Sequence, residues 1–549
     1  MPREPYVPTP EQIALAERRR AERAAKKAAV AAGKVEPTEE EKLVMEKCKF
    51  LKRDWVDVPG KDEEEQGGSQ RKRAKIITWN VSIARSVELI SDKLMMAVIA
   101  VACSKSCPQV PSKLRISSSK LTVLGRELFP GSDCLRFADR KPMLLAEFAH
   151  HSSSDIICLQ ECDKLPDFLP ALPQHTYIKG TGPGKLHGLV VLYRKDRFSL
   201  RQSKLIHLDF EEIHPRSSDL VVREDGTESL EEVRRRRGGS RQTKNVGLIV
   251  ALEGKDGEGV IIVTTHLFWH PKFVYERVRQ ALLLVRAIRR FQKANNCTTW
   301  PVVLAGDLNT QPSEATYQLL VSPHSPLPRQ YLDEISQSRL VHNSLSKIPL
   351  IPPEIPSSDS EPASTTGTGT TTPAVTNKTE AEKDGENEDL DDKSTANTRP
   401  PRPSDGLPTA LELVDLFKAE FPLIGGESDQ HDGAMSAYGS TQWKEGKGID
   451  GFDDRKGFGD GEKGKGGDEP GWTCFTPLFR LTLDYLLVLP PIFPPPSPIT
   501  PPTTSTSPTS GVEIRKVMLP PKASDLGEGL PRKGICASDH VAVGCEIEW

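Results

Sequence analysis

The amino-acid sequence predicts an α/β fold, one large domain broken by long insertions. Two observations lead there. Short β-branched and apolar runs each end in a polar residue, as strands that feed a site do, and a strand-like run resumes after every stretch too polar or too Pro-rich to bury itself. A third is the segment Lys272 to Gln292. Its Val274, Val278, Ala281, Leu282, Val285 and Ile288 recur at helical spacing, with Arg and Lys on the other face, so it should pack on a sheet.

Taken in order, Pro10 to Lys34 is rich in Ala, Arg, Lys and Glu and reads as an exposed basic helix or arm. Lys61 to Arg73 is a charged linker whose RKRAK has the composition of a nuclear localisation patch. Residues 1–73 are therefore expected to be a largely disordered arm and linker, and 74–549 the folded domain. AKIITWN (74–80) is the first strand. A helix over Lys141 to His150 leads into the strand Asp155 to Glu161, and Leu189 to Tyr193 is a third. Val246 to Leu252 and Gly259 to Thr265 form a pair joined by the turn-rich EGKDGE, and Val302 to Ala305 is a buried strand after the long helix. Insertions are expected at about 81–120, 352–407, 444–471 and 489–528, the last three dominated by Ser, Thr, Pro, Gly and charge.

Composition narrows the function classes. Lys+Arg is 73 against Asp+Glu at 76, so a nucleic-acid surface, if present, is local and not a property of the whole chain. The chain has 10 Cys but no CxxC pair, and Cys158, Cys162, Cys474 and Cys545 lie in or beside apolar runs, which reads as reduced, buried thiols inside a cell. The opening MPREPYVPTPEQ has no apolar leader, and the run Leu94 to Cys103 is short of the roughly 20 residues that cross a bilayer. The expectation is an intracellular protein, cytoplasmic or nuclear, with no membrane partner.

Polar motifs sit at the ends of the apolar strands: TWN at Asn80, LQE at Glu161, TTHL at His266, AGDLNTQP at Asp307 and Asn309, TLDYL at Asp484, and ASDH at Asp539 and His540. Carboxyl ends of strands are where α/β sheets hold ligands. Hydrolysis of a phosphodiester needs charge stabilisation on the phosphate, an activated water and a stabilised leaving oxygen. Carboxylates, amides and imidazoles are the side chains that do this. Glu161 offers a hard oxygen to Mg²⁺. Asp307 and Asn309, two apart on an extended chain, should face the same side. The Gly before Asp307 would let the backbone approach a ligand. Zinc hydrolysis fits less well, since no HExxH or Cys/His ligand spacing occurs, and no GxSxG marks a nucleophilic serine.

The set WN, LQE, THL, GDLN, LDY and SDH resembles the endonuclease/exonuclease/phosphatase superfamily. The words RELFPGSDCLRFADRKPMLLAEF, HGLVVLYRKDRF, TTHLFWHP and LPRKGICASDHVAV resemble its branch of nocturnin, angel proteins and carbon-catabolite-repression deadenylases, and within it the fungal RNA exonucleases that act on rRNA ends. The resemblance implies two packed mixed β-sheets flanked by helices, a four-layer α/β sandwich. It implies a 3′–5′ exoribonuclease that uses Mg²⁺, or Mn²⁺, on single-stranded RNA 3′ ends. It gives Glu161 to the metal and Asp539 to a second metal or its water. Asp307 would align or deprotonate the attacking water and Asn309 would hold the scissile phosphate. His540, oriented by Asp484, would contact the phosphate or move a proton. His266 would donate to the phosphate, and Asn80 would orient Glu161 and the phosphate.

Lys185, His187 and Asn245 are candidates for substrate binding. Arg234 to Arg241 reads either as a phosphate-neutralising run or as a solvated loop. Phe268, Trp269 and Phe475 could stack on bases, though aromatics of this kind mostly bury. The stretch from Val81 to before Leu121 interrupts the resemblance directly after Asn80. We hypothesise that it is a translated intron or gene-model error, which transcript sequencing tests; a message carrying it at full abundance would overturn the idea. Two other readings stand beside the nuclease: a nucleotide or dinucleotide phosphatase of the same fold, and a catalytically impaired RNA-binding scaffold. No protein partner is legible.

Overall fold

The computed structural model describes residues 37–58, 72–81, 131–215, 229–351, 397–421, 433–439, 466–490 and 511–549, with isolated positions at 14, 17–18, 129 and 492. Nearly all of the basic arm before residue 37, of the linker and of the stretch after Asn80, and the apolar run Leu94 to Cys103, lie outside the described residues.

Among the described residues, thirteen strands make two large mixed sheets. In chain order they are β1 (Trp55–Asp57), β2 (Arg73–Asn80), β3 (Ile156–Cys162), β4 (His175–Gly180), β5 (Gly188–Arg194), β6 (Phe198–His207), β7 (Val246–Gly254), β8 (Gly259–Thr265), β9 (Val302–Asp307), β10 (Met435–Ser436), β11 (Asp484–Leu489), β12 (Glu513–Met518) and β13 (Val543–Glu548). One sheet has the order β1-β12-β13-β2-β3-β5-β4, the other β10-β11-β9-β8-β7-β6. The main helices are α1 (Glu39–Lys47), α2 (Phe137–His150), α3 (Leu230–Arg237), α4 (Val274–Ala294) and α5 (Ala410–Glu420).

Strand alternation explains the layering. In β3, Ile156 and Cys158 point into the core between the sheets, while Ile157 and Leu159 pack with Met143, Leu144 and Phe148 of α2. In β9, Val303 and Ala305 join the inter-sheet core, while Val302 and Leu304 pack beneath α4 and α5. Three apolar layers separate four layers of backbone, helix on sheet on sheet on helix, which is the expected sandwich. Cys158, Cys162, Cys474 and Cys545 are buried thiols.

Several expectations about the edges need correction. Residues 37–58 are not part of a disordered arm. Thr38 and Glu41 form a reciprocal capping box that starts α1, and Val44, Met45, Leu51 and Trp55 pack against the α2 core. β1 then joins the sheet edge on β12. The insertion expected at 489–528 holds β12, which sits inside the seven-stranded sheet with Ile514, Val517 and Met518 buried. The Pro-rich flank masked the alternation in EIRKVM. The tail of the 352–407 insertion is also ordered, with Thr398–Arg399 paired to Val341–His342. Gly466 to Gly471 closes the 444–471 insertion with Glu469 buried in the core. Among the described residues no helix is long and apolar enough to cross a membrane.

Much of the arginine run is buried, while Arg234 and Arg235 stay half-exposed. Residues 230–237 form α3, and Arg236, Arg237 and Arg241 are buried. Arg236 pairs with Glu212 at 3.0 Å, Arg237 donates to the Pro349 carbonyl at 2.9 Å, and the Arg241 guanidinium lies 3.3 Å from the Phe273 ring centroid. Charge-rich sequence did not mean exposure here because each guanidinium meets a carboxylate, a carbonyl or an aromatic face.

Candidate active site

The strand ends meet at one edge of the sandwich. β2 and β3 are parallel neighbours with Asn80 opposite Gln160, so Asn80 and Glu161 emerge one register step apart. In the other sheet Asp484, first in β11, lies directly opposite Asp307, last in β9. His266 bridges to Asp307 just past β8.

Glu161 is aimed by a defect in its strand. Gln160 points between the sheets, where its amide donates to Thr78 and Thr264. Strict alternation would turn Glu161 the other way, toward the α2 core. The β3–β5 register shifts between Leu159 and Cys162, and Glu161 adopts φ 53°, a left-handed conformation that costs a non-glycine residue about 1–2 kcal/mol. The result places its carboxylate 3.7 Å from His266 Nδ1.

Asp307 is the hub. Its Oδ2 accepts from Asn80 Nδ2 at 2.9 Å and lies 3.5 Å from His266 Nε2 and 3.9 Å from His540 Nε2; its Oδ1 accepts from the Asn309 backbone at 2.9 Å. That last bond corrects the extended-chain reading. Asn309 sits at φ 47° in a turn closed by the Asp307 side chain, and its amide donates to the Leu267 carbonyl at 2.9 Å. Gly306 also works differently from expectation. A Cβ there would collide with the Thr265 carbonyl oxygen, so the glycine admits a neighbouring strand and not a ligand.

His540 and Asp484 form a buried pair, with Nδ1 2.7 Å from Asp484 Oδ2. Burial, the largest single influence, disfavours the imidazolium, but the Asp484 carboxylate and Cys474 together raise the His540 pKa well above the usual histidine value. Trp79 Nε1 donates to the His540 carbonyl at 2.9 Å, and Ser538 Oγ donates to the Asn80 carbonyl at 2.8 Å, so the loop is tied to β2. Asp539 is half-buried, and its carboxylate, the Cys474 thiol and the His540 ring offer ligand atoms within 4.8 Å of one another.

A divalent ion would fit at the Asn80–Glu161 end. Asn80 Oδ1 is a buried oxygen with no hydrogen-bond partner, at the tip of the strand beside the one that delivers the Glu161 carboxylate. Hard cations that keep several waters need only one or two such oxygens from the protein. Among the described residues, no set of three carboxylate, imidazole or thiol groups at this spacing includes Glu161; Asp307, Asp484 and His540 form one.

Lys185, His187, Asn245 and Trp269 wall a cavity that also opens onto Glu161 and His266. Lys185 Nζ donates to Asn245 Oδ1 at 2.8 Å. The Asn245 amide donates to Gln280 at 3.3 Å, and Asp209 holds the preceding loop by accepting from the Thr243 and Lys244 backbone. Phe475 is a core residue, while Phe268 is buried yet lines the same cavity. The residues that sequence reasoning missed are supports of this kind: Asp209, Gln280, Trp79, Ser538 and Thr473. Trp79 and Ser538 lie inside the TWN and ASDH motifs without being singled out, and Asp209, Gln280 and Thr473 stand outside every such motif.

Residues 136–380 match the endonuclease/exonuclease/phosphatase family. Asn80, Asp484, Asp539 and His540 lie outside that stretch. The chain is 30% identical over 227 residues to a Schizosaccharomyces pombe protein described as a probable RNA exonuclease, covering 40% of each chain. It is 30% identical over 229 residues to an RNA exonuclease of Saccharomyces cerevisiae, covering 36% of this chain and 40% of that one. The chain thus spans 40% of the length of both relatives. A crystal structure of ANGEL2, a 2′,3′-cyclic phosphatase, aligns with 91% of this chain and 99% of its own at 14% identity and a TM-score of 0.47.

Proposed function

We propose, from the match of residues 136–380 to the endonuclease/exonuclease/phosphatase family, that the chain is a metal-dependent 3′–5′ exoribonuclease that trims single-stranded RNA 3′ ends. The observation that supports this most is the chain of contacts running from Asn80 through Asp307 and His540 to Asp484. It gathers an amide, two carboxylates and an imidazole from four distant segments.

Glu161 and Asn80 Oδ1 would hold a Mg²⁺ or Mn²⁺ ion, which supplies Lewis-acid polarisation of the phosphate and of the leaving oxygen. Asp307 orients a water and accepts its proton, with one oxygen fixed by Asn80 and the other by the Asn309 backbone. His540, kept cationic by Asp484, donates to a phosphate oxygen as negative charge grows there. Asn309 and His266 hold the same phosphate, and Asp539 stations a water beside His540. Lys185, His187 and Asn245 take the nucleotide in the adjoining cavity.

The test is a time course on 5′-labelled oligo(A) RNA, mixed-sequence RNA, matching DNA and a dinucleotide phosphate, with Mg²⁺. A ladder shortening from the RNA 3′ end, absent in Glu161→Gln, is expected. The ratio of oligo(A) to mixed-sequence rates then ranks deadenylation against general 3′ processing, rRNA included. Phosphate release from the dinucleotide with RNA left intact would replace the proposal with a phosphatase; RNA binding without turnover would replace it with a scaffold.

A further inference from the structure

The His540–Asp484 pair depends on a residue that belongs to neither motif. Thr473 Oγ1 donates to Asp484 Oδ2 at 2.6 Å, on the same oxygen that faces His540. The same hydroxyl accepts from the Leu483 and Asp484 backbone at 2.9 and 3.0 Å. Thr473 is fully buried, so water has no route to replace it. Asp484 Oδ1 is buried with no hydrogen-bond partner. The carboxylate is therefore oriented from two sides only, His540 on one and Thr473 on the other.

The main chain of the same segment holds the opposite half of the pair. The Thr473 carbonyl accepts from Val541 N at 2.7 Å, Phe475 N donates to the Asp539 carbonyl at 2.9 Å, and Cys474 bridges to His540 between them. Thr473 N donates to the Leu481 carbonyl at 2.9 Å. Three consecutive residues thus bind the β11 end to the His540 loop.

We propose that Thr473 is a positioning residue of the hydrolytic reaction, acting through Asp484 on His540; this rests on the exoribonuclease reading of the site. Without the hydroxyl, two buried amide donors lose their acceptor and the Asp484 carboxylate can turn toward them, away from His540. An unmet buried polar group is costly enough to drive that rotation. Valine matches threonine in shape and removes only the hydroxyl function; serine keeps it.

The experiment compares Thr473→Val and Thr473→Ser with wild type, in two arms. The first is the downfield imidazole N–H proton resonance of His540, assigned by its absence in His540→Gln and recorded without RNA. It should shift or broaden in Thr473→Val and return in Thr473→Ser. The second is kinetic. Thr473→Val should lower kcat by about tenfold or more with KM changed by less than about twofold, as loss of an orienting partner does. On an Asp484→Asn background it should cost less than about a further twofold, because the two act as one unit. An unchanged resonance and kcat in Thr473→Val, or a full independent loss beside Asp484→Asn, would overturn the proposal. Thermal melting guards against a misfolded variant, and recovery in Thr473→Ser separates positioning from bulk packing. A wild-type chain that cleaves no RNA would overturn the exoribonuclease reading alone, and the resonance would then decide Thr473 by itself.

Discussion

Asn80 and Asp307 belong to different sheets, yet the Asn80 amide donates to Asp307 Oδ2 across 2.9 Å. That bond closes the sandwich at the edge where the polar strand ends meet. It also divides the Asn80 amide: its nitrogen holds Asp307, while its oxygen is buried with no hydrogen-bond partner. The two sheets must keep their spacing for that bond to persist, and the apolar layer between them does so.

Asp307→Asn should lower kcat by about 100-fold or more, within the usual range for loss of a general base, with KM little changed. The fold should survive, because the amide can still accept from the Asn309 backbone. Single-turnover hydrolysis alongside a melting curve measures both. Near wild-type turnover would remove Asp307 from the chemistry.

Glu161→Gln should weaken divalent-ion binding more than about tenfold, since a carboxylate ligand is replaced by a neutral amide. The measurement is calorimetric titration with Mn²⁺, which needs no substrate. The strained backbone at φ 53° stays as it is, so melting without metal should move little. An unchanged affinity would place the ion elsewhere, with Asp307, Asp484 and His540 as the next set to test.

Lys185 and Arg241 separate charge that faces the cavity from charge that braces the fold. Lys185→Ala should weaken RNA binding evenly across sequences and reduce the slope of log affinity against log salt by about 1. Arg241→Ala should leave that slope alone and lower stability by roughly 1–3 kcal/mol, because its guanidinium is buried against Phe273 and Phe268. A salt slope altered by Arg241→Ala would return the arginine run to the RNA surface.

The sequence made the strands legible where apolar residues run up to a polar one, as at Asn80, Glu161 and Asp307. It made α4 legible through its helical spacing. It did not show β12, whose alternation is hidden beside a Pro-rich flank, nor the burial of Arg236 and Arg241, which depends on partners distant in the chain, such as Glu212 and Phe273. The site showed the same limit. Which residues gather was readable from strand ends. How Glu161 turns was not, because a bulge and a left-handed residue reverse what alternation predicts. Thr473 was hidden for a related reason: its hydroxyl matters only once folding brings β11 and the His540 loop to it.

Glu469 offers a test of the fold by pH. It is fully buried, accepting from the Tyr317 hydroxyl at 2.7 Å and from Ser436, and burial pushes its carboxyl up from 4.5 to about 7 against those hydrogen bonds. A carboxyl whose pKa is higher folded than unfolded makes the folded state bind the extra proton. Its contribution is fully present below pH 4.5 and is lost as pH rises to about 7. The loss should be on the order of 3 kcal/mol at most, because each pH unit separating the folded and unfolded titrations is worth about 1.36 kcal/mol. Glu469→Gln cannot ionise, so its stability relative to wild type should climb between pH 4.5 and 7 and level off above. Denaturant melts of both chains across that range measure the difference. A gap that stays constant with pH would mean that Glu469 titrates alike folded and unfolded, and that the buried hydroxyls hold it as a carboxylate.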